Sequence, residues 1–276
     1  MLRSIISLES DVLTKKEWRV SMSLYFELLK KPVFNMEDVN VFYDNMDSAC
    51  SAVKRMMKDG LVVKIRNNMY TCISGETGAP VANRFQIASC ITPTSYVSHH
   101  TALEYHGITD QVIYDVYVSS ETRFRDFSFD GYTYCFVASK SLEGVEKPAY
   151  SGGVAVTNLE RTLVDSIKDM DKISGLEEVM ENIRCVQRVS EKRVLRYLEF
   201  YQNQFLYQKV GYLLWQVKEQ MGLSDSFFEK CYKQIGKSKC YLTSDQQCGE
   251  YDADWKLVVP KNFGKLKNGE MMEAEL

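Results

Sequence analysis

Three histidines are the first candidates for chemistry, because they lie close together in the sequence. The chain contains 3 histidines, and these are His99, His100 and His106. His100 and Glu104 are one helical turn apart, so a helix would bring an imidazole and a carboxylate to one face. A zinc site needs a third and a fourth ligand, and no nearby cysteine or aspartate has suitable spacing. We therefore favour histidines that satisfy local hydrogen bonds on a half-buried helix.

A second charged group lies further along the chain. Arg161 and Asp165 have the i, i+4 spacing of an ion pair on a helix. Thr157 and Glu160 have the spacing of a capping box, which would open that helix. A cap and a local ion pair explain these residues better than a binding role. The sequence motifs of P-loop enzymes, serine hydrolases and zinc proteases are missing. We therefore expect no enzymatic activity, no cofactor and no bound metal.

The residues best suited to nucleic-acid chemistry lie on a third predicted helix and the hairpin after it. This helix opens near Asp44 and Asn45 and runs to Lys58, and its small and basic side chains fall on one face. Short polar side chains let a helix backbone approach base edges in the major groove, and basic ones reach phosphates. The hairpin tip adds further basic and amide side chains. The predicted DNA-binding residues are Ser48, Ser51, Lys54, Arg55, Lys58, Lys64, Arg66, Asn67 and Asn68.

Local signals predict the elements that would position these residues. Apolar spacing predicts a first helix over Glu17–Lys30, and Asn35 with Asp38 predicts a capped second helix to about Tyr43. Gly60 ends the third helix, whose apolar face carries Ala49, Ala52, Val53, Met56 and Met57. Alternation predicts strands over 61–66 and 69–72, joined by a turn at Asn67-Asn68. Three helices and a hairpin form a winged helix-turn-helix, which we assign to residues 1–75.

Charge and composition favour a local DNA-binding surface. The 276 residues carry a net charge of -3, whereas residues 12–75 contain ten Lys/Arg against seven Asp/Glu. A protein that coats nucleic acid would be basic throughout. No apolar run is long enough to span a bilayer, and the first ten residues lack a signal-peptide pattern. We therefore expect a cytoplasmic protein without membrane contact, whose 8 cysteines are reduced.

The remaining residues, 76–276, are predicted to form a mixed α/β region to about residue 170 and a helical part after it. The whole chain is thus of the α/β (α+β) class. Expected helices cover 81–90, 95–106 and, with interruptions, 175–239. Expected strands cover 111–119 and 153–156, and Asp130-Gly131 predicts the turn of a hairpin over 126–138.

Three segments in this region resemble the AbiEi antitoxins of type IV toxin–antitoxin systems. Tyr96–Gly107 (YVSHHTALEYHG) resembles that family's YxSxxSALxxHGL helix, and Val156–Asp165 (VTNLERTLVD) its VTxxERTLxD step. Gln208–Leu214 (QKVGYLL) is similar to its xRLGYLLE helix. The closing residues Tyr241–Thr243 and Trp255–Val259 also resemble that family, and the likeness runs from about residue 14 to 260.

The resemblance implies a protein with two functions. The winged helix would bind the protein's own promoter and repress it. Residues 76–276 would act as the antitoxin domain against a partner toxin that resembles a nucleotidyltransferase and is encoded beside it. Two alternatives stay open: a ligand-responsive winged-helix transcription factor without a toxin partner, and a nuclease-like enzyme. A neighbouring reading frame that encodes a nucleotidyltransferase would favour the antitoxin.

Overall fold

Residues 22–109, 111–244, 249–261 and 263 are described by a computed structural model of the chain. These residues divide into two units. Unit 1 contains the described residues up to Tyr96 together with Ser120–Lys140 and Lys147–Ala155. Unit 2 contains Val97–Ser119, Ser141–Glu146 and the described residues from Val156 onwards. The domain boundary expected at residue 75 stays a prediction.

Unit 1 begins with three helices and a hairpin, in the order that the sequence predicts. The elements are α1 (residues 22–28), α2 (Met36–Asn40), α3 (Met46–Lys58), β1 (Val62–Arg66) and β2 (Met69–Cys72). β1 and β2 pair antiparallel, and Phe34 forms an isolated bridge with Tyr70 beside them. The fold class is therefore confirmed for this region, whereas residues 17–21 of the predicted first helix lie outside the described residues.

The caps of these helices are the ones that local sequence indicates. Asn35 and Asp38 form a reciprocal capping box at the start of α2, with both hydrogen bonds 3.0 Å long. Asn45 caps α3 by accepting a hydrogen bond from the backbone N–H of Ser48 at 2.9 Å. Gly60 follows α3 with a φ of 73°, which favours glycine. A buried apolar cluster formed by α1, α2, α3 and the hairpin holds these elements together.

Unit 1 continues with one helix and a second hairpin. These are α4 (Arg84–Ser89), β5 (Phe127–Phe129) and β6 (Tyr132–Ala138). Asp130 and Gly131 form the turn with φ values of 50° and 80°, which confirms the predicted hairpin. Hydrogen bonds tie α4 to the later segments of the unit: Arg84 Nη1 donates to Tyr132 Oη at 2.7 Å, and Ser89 Oγ accepts from the N–H of Ala155 at 2.9 Å.

The next strands are β3 (Tyr96–Val97), β4 (Asp115–Ser120), β7 (Val145–Glu146) and β8 (Val156–Thr157). They belong to unit 2 except for Tyr96 and Ser120, which are counted with unit 1. They follow one another in the order β4–β3–β8–β7 in a mixed sheet. β8 pairs parallel with β3 and antiparallel with β7. A second sheet, in the order β10–β11–β9, contains β9 (Cys240–Tyr241), β10 (Gly249–Asp252) and β11 (Leu257–Pro260).

The described part of unit 2 contains helices, most of which lie from residue 175 onwards, where the sequence predicts a helical region. They are α5 (His99–Tyr105), α6 (Leu159–Lys168), α7 (Gly175–Cys185), α8 (Glu191–Tyr201), α9 (Gln204–Trp215), α10 (Lys218–Met221) and α11 (Asp225–Gln234). α6 packs against α5, α8 and α9, and its residues from Glu160 to Ile167 are all buried. A crossing of the bilayer needs about 20 apolar residues in one helix. None of the described helices combines that length with that apolarity.

Four boundaries differ from the sequence-based expectations. The helix expected from Ser95 starts at His99, because Tyr96 and Val97 pair as a strand. The helix expected over 81–90 is shorter, since Asn83 caps it. The strands expected from residues 111 and 153 begin at Asp115 and Val156. These differences follow from pairing partners and caps that apolar periodicity does not show.

The start of α6 differs in the identity of its cap. The N-cap is Asn158, whose side chain accepts a hydrogen bond from the N–H of Arg161 at 3.0 Å. The predicted capping box of Thr157 and Glu160 is therefore wrong. Thr157 instead hydrogen-bonds Thr162 through their side-chain oxygens at 2.7 Å, and Glu160 accepts from the N–H of Ser190 at 2.8 Å.

Candidate nucleic-acid interface

Helix α3 presents a polar face to solvent and an apolar face to the core. Ala49, Ala52, Val53 and Met56 are buried against α1, α2 and the hairpin. The opposite side carries four predicted DNA-binding residues that are exposed and one that is partly exposed. The exposed ones are Ser48, Ser51, Lys54 and Lys58, and the partly exposed one is Arg55. Met57, which helical spacing places with the apolar residues, is 38% exposed.

The hairpin of β1 and β2, called the wing below, carries the other predicted DNA-binding residues. The pairing shifts register between Lys64 and Arg66, so the strand is irregular just before its turn. Lys64 and Asn67 are exposed. These two side chains extend the set of polar groups that unit 1 exposes to solvent.

Arg66 is held by aromatic rings of the same unit. Its guanidinium carbon lies 4.9 Å from the ring centre of Phe127 and 5.8 Å from that of Phe124, which is cation–π geometry. Among the described residues, its buried Nη1 atom has no hydrogen-bond partner. The side chain predicted to reach DNA from the wing is therefore directed to the loop before β5 and to β5 itself.

Asn68 occupies the left-handed position of the wing turn and binds α2. Its φ is 53°, a conformation that asparagine tolerates better than most residues. Its Oδ1 accepts a hydrogen bond from the N–H of Met36 at 2.9 Å, and its Nδ2 donates to Glu37 Oε2 at 3.2 Å. The nine predicted residues are thus separated by role: α3, Lys64 and Asn67 present polar groups to solvent, whereas Arg66 and Asn68 fix the wing.

Sequence reasoning did not identify two exposed arginines near the wing. Arg123 and Arg125 flank Phe124, the ring that stacks on Arg66. The alternation of a basic, an aromatic and a basic residue is a signal that could have found them, since alternate side chains of an extended segment share a side.

A buried charged cluster in unit 2 surrounds α6. Arg161 Nε donates to both carboxylate oxygens of Asp165 at 2.9 and 2.8 Å, and Arg161 Nη1 donates to the backbone oxygen of Glu143 at 2.8 Å. Tyr201 Oη donates a further hydrogen bond to Asp165. The rings of Tyr197, Phe200 and Tyr201 lie within 5.8 Å of the Arg161 guanidinium carbon. The pair expected from the sequence is present, and its burial makes it part of the core of unit 2.

The three histidines take part in hydrogen bonds that span long stretches of sequence. His100 Nδ1 lies 2.6 Å from Glu178 Oε1, and His106 Nε2 lies 2.7 Å from the backbone oxygen of Thr157. His99 Nε2 lies 3.3 Å from Asp169 Oδ2. His99 and His100 are buried to 2% and 1% exposure, deeper than the half-buried helix that we expect from the sequence. Among the described residues, no group of three metal-ligating side chains is close enough to hold an ion.

Two of these groups have shifted pKa values. Burial alone would lower the pKa of His100, but its hydrogen bond to Glu178 and the charge of that carboxylate raise it above 6.5 overall. Burial alone would raise the pKa of Asp169, but the His99 hydrogen bond and nearby Lys168 hold it well below its usual range. These shifts favour the protonated form of His100 and the ionised form of Asp169.

Comparison with known proteins shows a likeness of fold. No protein-family model matches the chain, and no curated protein matches it. A solved structure, the crystal structure of the RV2827C protein from Mycobacterium tuberculosis, aligns with a TM-score of 0.59. The alignment covers 87% of this chain and 90% of that one, at 14% sequence identity. The two chains therefore share an overall fold.

Proposed function

We propose that the chain is a DNA-binding transcriptional regulator that represses its own promoter, and an antitoxin against a nucleotidyltransferase-like toxin encoded beside it. The observation that supports DNA binding is the exposed polar face of α3, which precedes a wing with an exposed lysine. Ser48 and Ser51 are small enough for close approach to base edges, and Lys54 and Lys58 are long enough to reach phosphates.

Charge supports the same surface. Residues 12–75 have more basic than acidic side chains, although the whole chain carries a net charge of -3. DNA binding by a patch of this kind should depend strongly on salt, because each neutralised phosphate releases counterions. Double-stranded DNA is therefore the partner that we propose for this surface.

The antitoxin half is supported by the resemblance to AbiEi proteins. The three resembling segments fall on β3–α5, β8–α6 and α9, where they supply buried residues. These segments include the Arg161–Asp165 pair and the histidines, which bind other groups of unit 2. We assign antitoxin activity to the region after residue 75, and regulation to the winged helix.

Salt-dependent binding tests the DNA-binding half. Purified full-length protein is titrated with a duplex from the region upstream of its own gene and with a random duplex of equal length. The Lys54→Ala/Lys58→Ala variant should reduce the slope of log K against log salt by about 0.9 for each phosphate that is no longer neutralised. An Arg188→Ala/Lys192→Ala variant removes two exposed charges from unit 2 and should leave the slope unchanged. Equal slopes in both variants would contradict the proposal.

Base readout and antitoxin activity need separate tests. Ser51→Leu should weaken binding to the upstream duplex more than to the random duplex, because base contacts specify and phosphate contacts only position.

Co-expression of this protein with a nucleotidyltransferase encoded beside it should restore the growth of cells that this toxin inhibits. If DNA binding holds and growth is not restored, the chain is a regulator without antitoxin activity.

A further inference from the structure

The loop before the second hairpin of unit 1 is fixed at both ends. The N–H of Glu121 donates to Thr94 Oγ1 at 3.2 Å, and the N–H of Thr122 donates to Ser120 Oγ at 3.1 Å. At the other end, Asp126 Oδ1 accepts a hydrogen bond from the N–H of Phe136 at 2.9 Å. The loop, residues 121–126, therefore has a defined path before any partner binds.

The middle of the loop is attached to the wing. Phe124 is 6% exposed, and its ring packs edge-on against Phe136 with ring centres 5.2 Å apart. Its ring also faces Arg66, the last residue of β1, whose guanidinium carbon lies 5.8 Å from the ring centre. Arg66 thus joins the wing to this loop through Phe124 and to β5 through Phe127.

The residues on either side of Phe124 are exposed arginines. Arg123 and Arg125 are both exposed, whereas Phe124 between them is buried. Among the described residues, neither arginine has a carboxylate within 4.0 Å, and the nearby Asp126 binds the backbone of Phe136. Two unneutralised guanidinium groups therefore lie beside the wing.

We propose that this loop is a second phosphate-binding element of the DNA interface, with Arg123 and Arg125 as its phosphate-binding residues. The inference rests on the proposed DNA-binding function and extends it beyond the winged helix. Arg66 stacks on Phe127, and Asn68 binds the start of α2. Lys64 and Asn67 are then the side chains of the wing that remain for contact with DNA. The loop supplies the planar, multi-donor cations that suit phosphate oxygens. The partner is the sugar–phosphate backbone of duplex DNA, since phosphates recur along every duplex and suit the guanidinium donors of both arginines.

The test compares three full-length double variants on the upstream duplex and on a random duplex. Arg123→Ala/Arg125→Ala should weaken binding to both duplexes and reduce the salt slope by up to about 1.8, or about 0.9 per arginine removed. Arg123→Lys/Arg125→Lys should keep the wild-type slope, because a lysine retains the charge. Arg188→Ala/Lys192→Ala, which removes the same charge from unit 2, should behave like the wild type. Hydroxyl-radical footprinting should show that the alanine variant no longer protects one edge of the bound site.

The outcomes separate this inference from the proposed function. If the Lys54→Ala/Lys58→Ala variant has a reduced salt slope and the Arg123→Ala/Arg125→Ala variant matches the unit 2 control, the loop is not part of the interface. If the wild-type protein binds neither duplex, the proposed function fails, and this inference fails with it. A reduced slope that lysine restores supports the loop as a phosphate-binding element.

Discussion

Asn68 Oδ1 accepts a hydrogen bond from the N–H of Met36 at 2.9 Å, so the turn of the wing is tied to the first residue of α2. That N–H belongs to the first turn of a helix and has no partner within the helix itself. The same asparagine donates to Glu37 and holds a left-handed backbone conformation. A residue that the sequence suggests as a DNA-binding group thus also links the wing to the helices.

Substitution of Asn68 should separate its backbone role from its side-chain role. Asn68→Ala loses the hydrogen bonds to Met36 and Glu37, and alanine tolerates positive φ less well than asparagine, so we expect a cost of about 1–2 kcal/mol. Asn68→Gly loses the hydrogen bonds alone and should cost about 1 kcal/mol or less. Urea unfolding measures both. Asn67→Ala, at the exposed neighbour, is the control and should change stability by less than about 0.5 kcal/mol.

The pair of His100 and Glu178 should make stability depend on pH. Because the folded-state pKa of His100 is raised above 6.5, its protonated form stabilises the fold. This contribution is complete below the unfolded-state pKa and is lost as pH rises through the folded-state value. Glu178→Gln should therefore destabilise the protein by about 1.5–3 kcal/mol near pH 5.5, and by less at about pH 9. Urea midpoints across this range measure the difference. If the loss of stability were the same at both pH values, the His100–Glu178 pair would not be the cause of the pH dependence. The control is Glu181→Gln, on the exposed side of α7, which should change stability little at either pH.

Removal of Asp165 should be among the costlier single changes in unit 2. Asp165→Ala leaves the Arg161 guanidinium without its carboxylate at 2% exposure, which costs about 3–5 kcal/mol. The matched control is Arg196→Ala, which breaks the ion pair with Glu143 at a side chain that is 70% exposed. That change should cost less than about 1 kcal/mol. Chemical unfolding followed by circular dichroism measures the loss of stability in both variants. Similar losses would show that burial of the Arg161–Asp165 pair does not raise the cost of breaking it.

Gly211 should not accept an alanine, although it lies within helix α9. A Cβ there would overlap Cζ3 of Trp255, a side chain that is 2% exposed. The helix preference for alanine is worth about 1 kcal/mol, whereas overpacking costs about 1–3 kcal/mol. We expect Gly211→Ala to lower the free energy of unfolding and to change tryptophan fluorescence. In a Trp255→Leu background the same change should cost less, and an equal cost would rule out the Trp255 ring as the cause.

Local chemistry made the first three helices and the wing predictable. Asn35, Asn45 and Gly60 begin or end helices through bonds to residues a few positions away, and Asp130-Gly131 forms a turn by itself. Such signals lie within one short window of sequence, so their outcome depends little on the rest of the chain. The exposed face of α3 follows in turn from its apolar spacing.

The side-chain roles depend on residues far along the chain and could not be predicted in the same way. Arg66 stacks on Phe124 and Phe127, which belong to a later segment of the chain, and His100 binds Glu178. The cap of α6 was misassigned because Thr157 and Asn158 are both good caps by type, and Thr162 offers Thr157 another partner. Periodicity gives the face of a side chain and leaves its partner undetermined.

The discontinuous path of unit 1 has a consequence for the order of events during synthesis. Residues of α1, α2, α3 and the wing are complete at Cys72, but the unit also needs the segments that end at Lys140 and Ala155. At about 5–20 residues per second, the ribosome makes the roughly 80 residues between Cys72 and Ala155 in roughly 4–16 s. For much of that interval the nascent chain has its wing but lacks the Phe124 and Phe127 rings against which Arg66 stacks. A ribosome-bound chain would therefore complete unit 1 only when more than half of the protein has been translated.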